Sequence, residues 1–286
     1  MKPSPFDYLA PGDLDEALGA LAEHEGEAKV LAGGQSLVPA MNFRLATPSV
    51  LVDLNRIEGL AEVRVGEGEL VIQSLVRHRD LEIVATEDAT ALLLARVSRL
   101  VGHLPIRVRG TFAGSLAHAD PAAEWCMLAV ALDATIVARS VRGTRSIAAN
   151  EFFEGLFTTA LADDEIITEV RLPLLGNAGT GFREKSQTAG DFATVATIAA
   201  CTLDDGIVAD ARLAIAGAGA TPVRANRAES LLVAREATPD AIAVASRAAA
   251  EDVEPSSDAN TSADYRRHLV EVLARRALDD ALEAAS

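Results

Sequence analysis

The apolar run 28–32 stops abruptly on Gly33 and Gly34, with Gln35, Ser36 and Leu37 behind them. A run of that length reads as a buried strand, and a glycine pair at its carboxyl end forces a tight turn. Upstream, Asp13 stands as an N-cap before Leu14, Ala17, Leu18 and Leu21 at helical spacing, and Gly26 closes that helix. Downstream, a short segment runs to Arg44, and 49–54 read as a second strand. The pattern predicts a small α/β unit with its turn at a strand's carboxyl end, where open sheets hold ligands.

The pattern then changes. Val63 and Val65 alternate with polar neighbours, Gly66-Glu67-Gly68 turns, and Leu70 and Ile72 alternate again, which predicts a hairpin. A helix at about 89–101 precedes a second small-residue turn, Thr111-Phe112-Ala113-Gly114-Ser115-Leu116-Ala117-His118-Ala119-Asp120-Pro121. A helix is expected to start near Pro121, with Asp120 as its carboxylate cap. Further strands are expected at 135–147 and 165–172, and the Pro/Gly/Asn-rich stretch 173–181 reads as a boundary. Beyond it, 194–203 and 207–217 alternate around Asp204-Asp205-Gly206, and Ala-rich helices follow at about 239–251 and 262–284. The expectation is an α+β chain: 1–175 in two α/β subdomains, about 1–56 and 57–175, then a sheet-and-helix domain over 176–286.

Composition narrows the function. Hydrophobic residues make up 49% of 286, enough for a sizeable core. A net charge of −16 argues against nucleic-acid binding and against docking on an anionic membrane. No apolar run approaches the roughly 20 residues of a membrane span. The first residues lack a signal-peptide pattern, so a cytoplasmic setting is expected. The two cysteines, Cys126 and Cys201, cannot form an iron–sulfur site, which takes about four thiolates. No metal-spaced Cys/His set occurs, and Cys126, between Trp125 and Met127, reads as a buried core thiol.

Turns built of small residues let backbone N–H groups approach an anion, because no Cβ stands in the way. Two such turns could grip one diphosphate from two sides. Neither carries the G-x-G-x-x-G or Walker A spacing, so any nucleotide is held by another scheme. Arg107 and Arg109 precede the second turn and could offset phosphate charge or lie on the surface. His118 with Asp120 is a poor metal pair without a third ligand, and a surface histidine is the better reading. No nucleophile signature is present, and no catalytic residue is assigned.

Taken together, the two turns resemble the FAD-binding medium subunits of the molybdenum hydroxylases, the carbon monoxide dehydrogenase and xanthine dehydrogenase family. The opening Phe6-Asp7-Tyr8 with Pro11, and the stretches Gly190-Asp191-Phe192-Ala193, Gly219-Ala220-Thr221-Pro222-Val223-Arg224, Tyr265-Arg266-Arg267-His268 and Arg275-Arg276-Ala277-Leu278, extend the resemblance over the whole chain. It implies a vanillyl-alcohol-oxidase-type FAD fold with a small C-terminal domain of the carbon monoxide dehydrogenase flavoprotein type. It implies that Ala32, Gly33, Gly34, Gln35 and Ser36, with Thr111, Ala113, Gly114 and Ser115, hold the diphosphate. Lys29, Val30, Leu31, Val101 and Gly102 would line the neighbouring cleft. Asp120 and Glu124 would bond FAD hydroxyls, Ile167 and Lys185 would lie near the flavin ring, and Leu37 and His118 complete the two segments. His118 is also the one residue there of a type able to carry covalent flavin; noncovalent binding is expected. Partners are implied too: a large molybdopterin subunit and a small [2Fe–2S] subunit, in a dimer of heterotrimers.

In this family the second segment usually reads Gly-Gly where Ala113 stands. An alanine there would be strained if the position needed φ > 0, and would otherwise only narrow the approach. The expected function is electron transfer from a partner's clusters to an external acceptor. A self-sufficient FAD oxidase or dehydrogenase, or a flavin-free binding module, would be the alternatives.

Overall fold

The computed structural model describes residues 2–24, 26–84 and 86–286. The first region holds β1 (Asp7–Leu9), α1 (Leu14–Glu23), β2 (Ala28–Leu31), α2 (Leu37–Asn42) and β3 (Val50–Asp53). Asp13 caps α1 by accepting from the N–H of Glu16 at 2.8 Å. The three strands form a parallel sheet in the order β1-β3-β2, with Leu31 opposite Asp53. That register sets the carboxyl ends of β2 and β3 side by side, so Gly33 and Asn55 emerge at the same end of the sheet. Sequence periodicity missed β1, which is only three residues long, and α2, which carries Pro39 inside it.

The second region holds β4 (Val63–Val65), β5 (Glu69–Gln73), α3 (Ala89–Ser98), α4 (Leu104–Arg107), α5 (Phe112–His118), α6 (Glu124–Ala131), β6 (Thr135–Ser140), β7 (Gly143–Ala148), α7 (Ala149–Phe152), β8 (Phe153–Gly155), β9 (Thr158–Thr159) and β10 (Ile166–Pro173). Five of the strands make an antiparallel sheet in the order β4-β5-β10-β6-β7.

Two expectations need correction here. The second small-residue segment is not a turn but the helix α5, begun by Thr111, whose hydroxyl accepts from the N–H of Gly114 at 3.1 Å. The next helix starts at Glu124, not near Pro121. Ala119, at φ 53°, takes the chain out of α5, and Asp120 then accepts from the N–H of Ala122 to close a turn of its own. Asp120 is therefore a turn residue, and α6 has no side-chain cap.

The last region holds β11 (Gly179–Ser186), β12 (Ala193–Asp204), β13 (Ile207–Ala216), β14 (Val223–Arg224), α8 (Asn226–Leu232), α9 (Pro239–Glu251) and α10 (Ala263–Ala285). Its antiparallel sheet separates two cores. Ala196, Ile198, Ala214 and Ala216 face the core of the second region, which includes Phe112, Leu116 and Trp125. Val195, Ala199, Cys201, Leu213 and Ile215 face α9 and α10. Alternation along β12 thus sorts side chains between two buried layers rather than between core and water.

Two arginines of the motifs read from the sequence hold this arrangement. Arg224 donates through Nη1 to the carbonyls of Val130 and Ala131, both at 3.1 Å, at the C-terminus of α6, where carbonyls lack helical partners. Arg266 donates to the carbonyls of Thr194, at 2.7 Å, and Gly217, at 2.9 Å. No helix among the described residues is long and apolar enough to cross a membrane.

Candidate functional site

The two small-residue segments, some eighty positions apart in sequence, touch. A Cβ placed on Gly33 would lie 2.5 Å from the carbonyl oxygen of Arg109 and 2.6 Å from the Cα of Gly110. Only glycine allows two backbones this close. Around the contact the main chain is left with open donors. Among the described residues, the N–H groups of Gly33, Gly34, Gln35 and Ser36 reach no backbone acceptor, nor do those of Thr111 and Ala113. Gly34 has φ +71°, the left-handed conformation found where successive backbone N–H groups turn toward one anion. Ala113 lies inside α5 with ordinary helical geometry and is absent from the positive-φ residues, so its methyl carries no backbone strain.

The remaining expected residues distribute unevenly. Val30 and Leu31 end β2 beside the turn, while Lys29 is exposed and pairs with Asp163 at 3.2 Å. Leu37 opens α2 behind Ser36, whose hydroxyl makes no cap bond. Val101 is buried, and Gly102, at φ +54°, presents its carbonyl to Arg107 Nη1 at 2.9 Å. The next residue, His103, lies against Gly190, so tightly that a Cβ on Gly190 would run into the imidazole. The Gly190-Asp191-Phe192 loop is thereby seated against His103. Ser115 gives its carbonyl to the Cys126 thiol.

His118 is neither fully exposed nor fully buried. It lies at the C-terminal end of α5, its ring 5.1 Å from that of Phe157. Ile167 is buried in β10, paired with Ala138. Lys185 is exposed on β11 and donates to the carbonyl of Ser186 at 2.8 Å. The geometry does not join His118, Ile167 or Lys185 to the contact between the two segments. Arg107 is also set aside, in an ion pair with Glu82 at 2.9 Å, whereas Arg109 stays exposed.

Glu124 is 3% exposed in the first turn of α6. Burial pushes its carboxyl up to about 8, and the carboxylates of Glu184 and Asp120 add to the shift. Glu184, on β11, is raised to about 7, again by burial, and its Oε2 has no hydrogen-bond partner. A protonated carboxyl both donates and accepts, which suits sugar-like hydroxyls. The sign of the pH effect follows. The folded chain holds the Glu124 proton to about pH 8, while the unfolded chain releases it near 4.5. Stability from this group is therefore full below about 4.5 and declines as pH rises toward 8. Melting of the flavin-free protein across pH 5–8 should show Glu124→Gln gaining on the parent as pH rises, by several kcal/mol at the alkaline end. A constant difference across that range would show Glu124 ionised in the fold.

Sequence reading missed Asn55, Arg77, His78 and Glu184. His78 is buried, accepts from Trp125 Nε1 at 2.9 Å, and donates its backbone N–H to the carbonyl of Gly110 at 3.0 Å. Burial, aided by Arg77 and Arg107, brings its imidazole down to about 4, so it is neutral. It backs Gly110 so closely that a Cβ there would come 2.6 Å from Nε2. The usable signal for Asn55 was its place just past a strand's carboxyl end, level with the glycine turn. Arg77 gave none, because its partners are far away in sequence.

Two family profiles match the chain: the FAD binding domain in molybdopterin dehydrogenase over residues 4–175, and the CO dehydrogenase flavoprotein C-terminal domain over 180–281. The 6-hydroxypseudooxynicotine dehydrogenase complex subunit alpha of Paenarthrobacter nicotinovorans is 38% identical, covering 100% of this chain and 97% of that protein. The caffeine dehydrogenase subunit beta of Pseudomonas sp. (strain CBB1) is 35% identical over 97% and 95%. A solved carbon monoxide dehydrogenase from Hydrogenophaga pseudoflava, lacking the Mo-pyranopterin moiety, superposes with a TM-score of 0.97 at 32% identity, over 100% of both chains. The fold is thus that of an FAD-binding flavoprotein subunit with a carbon monoxide dehydrogenase-type C-terminal domain. The chain belongs to the FAD-binding medium subunits of the molybdenum hydroxylases, the family of carbon monoxide and xanthine dehydrogenases.

Proposed function

We propose that this chain is the electron-transfer subunit of a molybdenum hydroxylase, taking electrons from [2Fe–2S] clusters of a small partner and delivering them to an external acceptor. Residues 1–175 would form the FAD-binding domain and 176–286 the C-terminal domain. A large molybdopterin subunit would complete a heterotrimer that pairs with a second copy, in the cytoplasm. The observation that carries the reading is the contact of Gly33 with Arg109 and Gly110, ringed by open backbone donors.

Those donors suit a diphosphate. The N–H groups of residues 33–36, Thr111 and Ala113 would hold its oxygens, and the Ser36 and Ser115 hydroxyls would add to them. The exposed guanidinium of Arg109 adds charge at the rim. Protonated Glu124 would bond hydroxyls further along. FAD supplies a group that exchanges electrons in pairs or singly. The chain itself carries no clusters: its two cysteines are both buried, Cys201 in the core under α9 and α10. On this reading the electrons come from clusters carried by another chain. Relatives named for 6-hydroxypseudooxynicotine and for caffeine share this subunit's full length, which supports placing substrate choice on the partner that hydroxylates.

The chain should be mixed anaerobically with FAD and substrate, with and without the two partner chains. Flavin absorbance is expected to bleach only when the iron–sulfur chain is present. Bleaching of the chain alone at a comparable rate would make it a self-sufficient dehydrogenase.

A further inference from the structure

We propose that Arg77 is a positioning residue for the flavin site, the central link of a side-chain strut that ties the first small-residue segment to the second. The proposal rests on the reading that these segments hold the FAD diphosphate.

Arg77 follows β5 and is half-buried. Its Nη1 donates to the carbonyl of Arg109, and its Nη2 donates to Asn55 Oδ1 at 2.5 Å. Asn55 in turn donates through Nδ2 to the carbonyl of Ala32 at 2.8 Å. One guanidinium and one amide thus span from Ala32, at the start of the first segment, to Arg109, two residues before the second. Both carbonyls flank the Gly33 contact.

The amide orientation of Asn55 is over-determined. Its oxygen receives the guanidinium, its Nδ2 also donates to Asp53 Oδ1, and its backbone N–H donates to the same oxygen at 2.9 Å. Asp53 is buried at the end of β3 and accepts from the Tyr8 hydroxyl at 2.5 Å through Oδ2. Burial alone would raise the Asp53 carboxyl, but the bonds from Tyr8 and Asn55 bring it below the ordinary value. The strut is thereby anchored on both outer elements of the first sheet. Arg77 is fixed from its other side as well, its backbone N–H donating to Asp80 at 3.0 Å.

The donors that face a diphosphate belong to two stretches of backbone whose spacing is set by nothing covalent. The Gly33 contact limits how close they come, and the strut limits how far they part. Lysine cannot reproduce this, because the span needs two donors of one rigid fork aimed at two acceptors.

The test uses the full chain freed of flavin and titrated with FAD. Arg77→Met is expected to weaken FAD by about tenfold or more, and Asn55→Ala by a similar factor. The double variant should lose little beyond the worse single one, since both cut the same strut. Arg77→Lys should recover only part. Flavin-free melting of Asn55→Ala, an exposed position, should stay near the parent's, which separates positioning from a general loss of fold. A Gly33→Val arm reports on the site itself. If Gly33→Val abolishes binding while Arg77→Met and Asn55→Ala bind within about threefold of the parent, the strut is overturned and the site stands. Losses that multiply in the double variant also overturn it. If Gly33→Val binds FAD normally, the placement of the site fails instead.

Discussion

Gly33→Val is expected to be purified colourless, with less than a tenth of the parent's flavin and a melting temperature close to that of the flavin-free parent. Strain at Gly33 is not the reason, since its φ lies outside the region reserved for glycine. The reason is space. A Cβ would sit 2.5 Å from the Arg109 carbonyl oxygen and 2.6 Å from the Gly110 Cα, and neither backbone atom can rotate away. The second segment cannot yield, because Gly110 is backed by His78 and its N–H is bonded to the Ile106 carbonyl at 2.7 Å. The two segments must part, and the converging N–H groups lose their common target. The cores built on Phe112 and Trp125 and under α10 are untouched, so the fold should persist. Flavin content by absorbance, with melting of the same sample, decides the matter; a stoichiometrically yellow variant would put the diphosphate elsewhere.

Gly181→Ala is expected to destabilise the fold by about 3 kcal/mol or more, since the added methyl would meet backbone rather than a movable side chain. Strand β11 lies under α10 with backbone against backbone. A Cβ on Gly181 would fall on the carbonyl oxygen of Ala277, and one on Gly179 on that of Ala281. Small residues stand on both sides of the contact, glycine on the strand and alanine on the helix. No side chain is available to move, so α10 must lift from the sheet along much of its length. Leu273, Leu278 and Leu282 of α10 belong to the core that would open. Thermal melting of the flavin-free protein measures the effect. A variant that melts like the parent would mean that α10 rides higher over the sheet.

Local signals were enough where local physics governs. Asp13 as a cap, the Gly66-Glu67-Gly68 turn, the hairpin at Asp204-Asp205-Gly206 and the helices after Thr238 and Ser262 all rest on interactions within a few residues. The boundary of α6 was misplaced because Asp-Pro is an equally good turn, and Ala119 in the left-handed conformation had already redirected the chain. Alanine, glycine and serine in 111–118 suggested a turn, because small side chains carry little periodic signal. The Thr111 cap and the burial of Phe112, Ala113 and Leu116 decided for helix.

By itself, then, the amino-acid order determined the α+β succession, the absence of cluster-forming cysteines, and two small-residue segments able to approach an anion. Only the tertiary structure decided that Gly33 abuts Gly110, that Arg77 spans from Asn55 to Arg109, and that the Glu184 carboxylate comes near enough to Glu124 to add to its upward shift. Caps and turns are short-range hydrogen bonds whose partners lie in one window of sequence. A binding cradle and a shifted carboxyl depend on which distant backbones and charges packing brings within a few ångströms, and no local pattern encodes that distance.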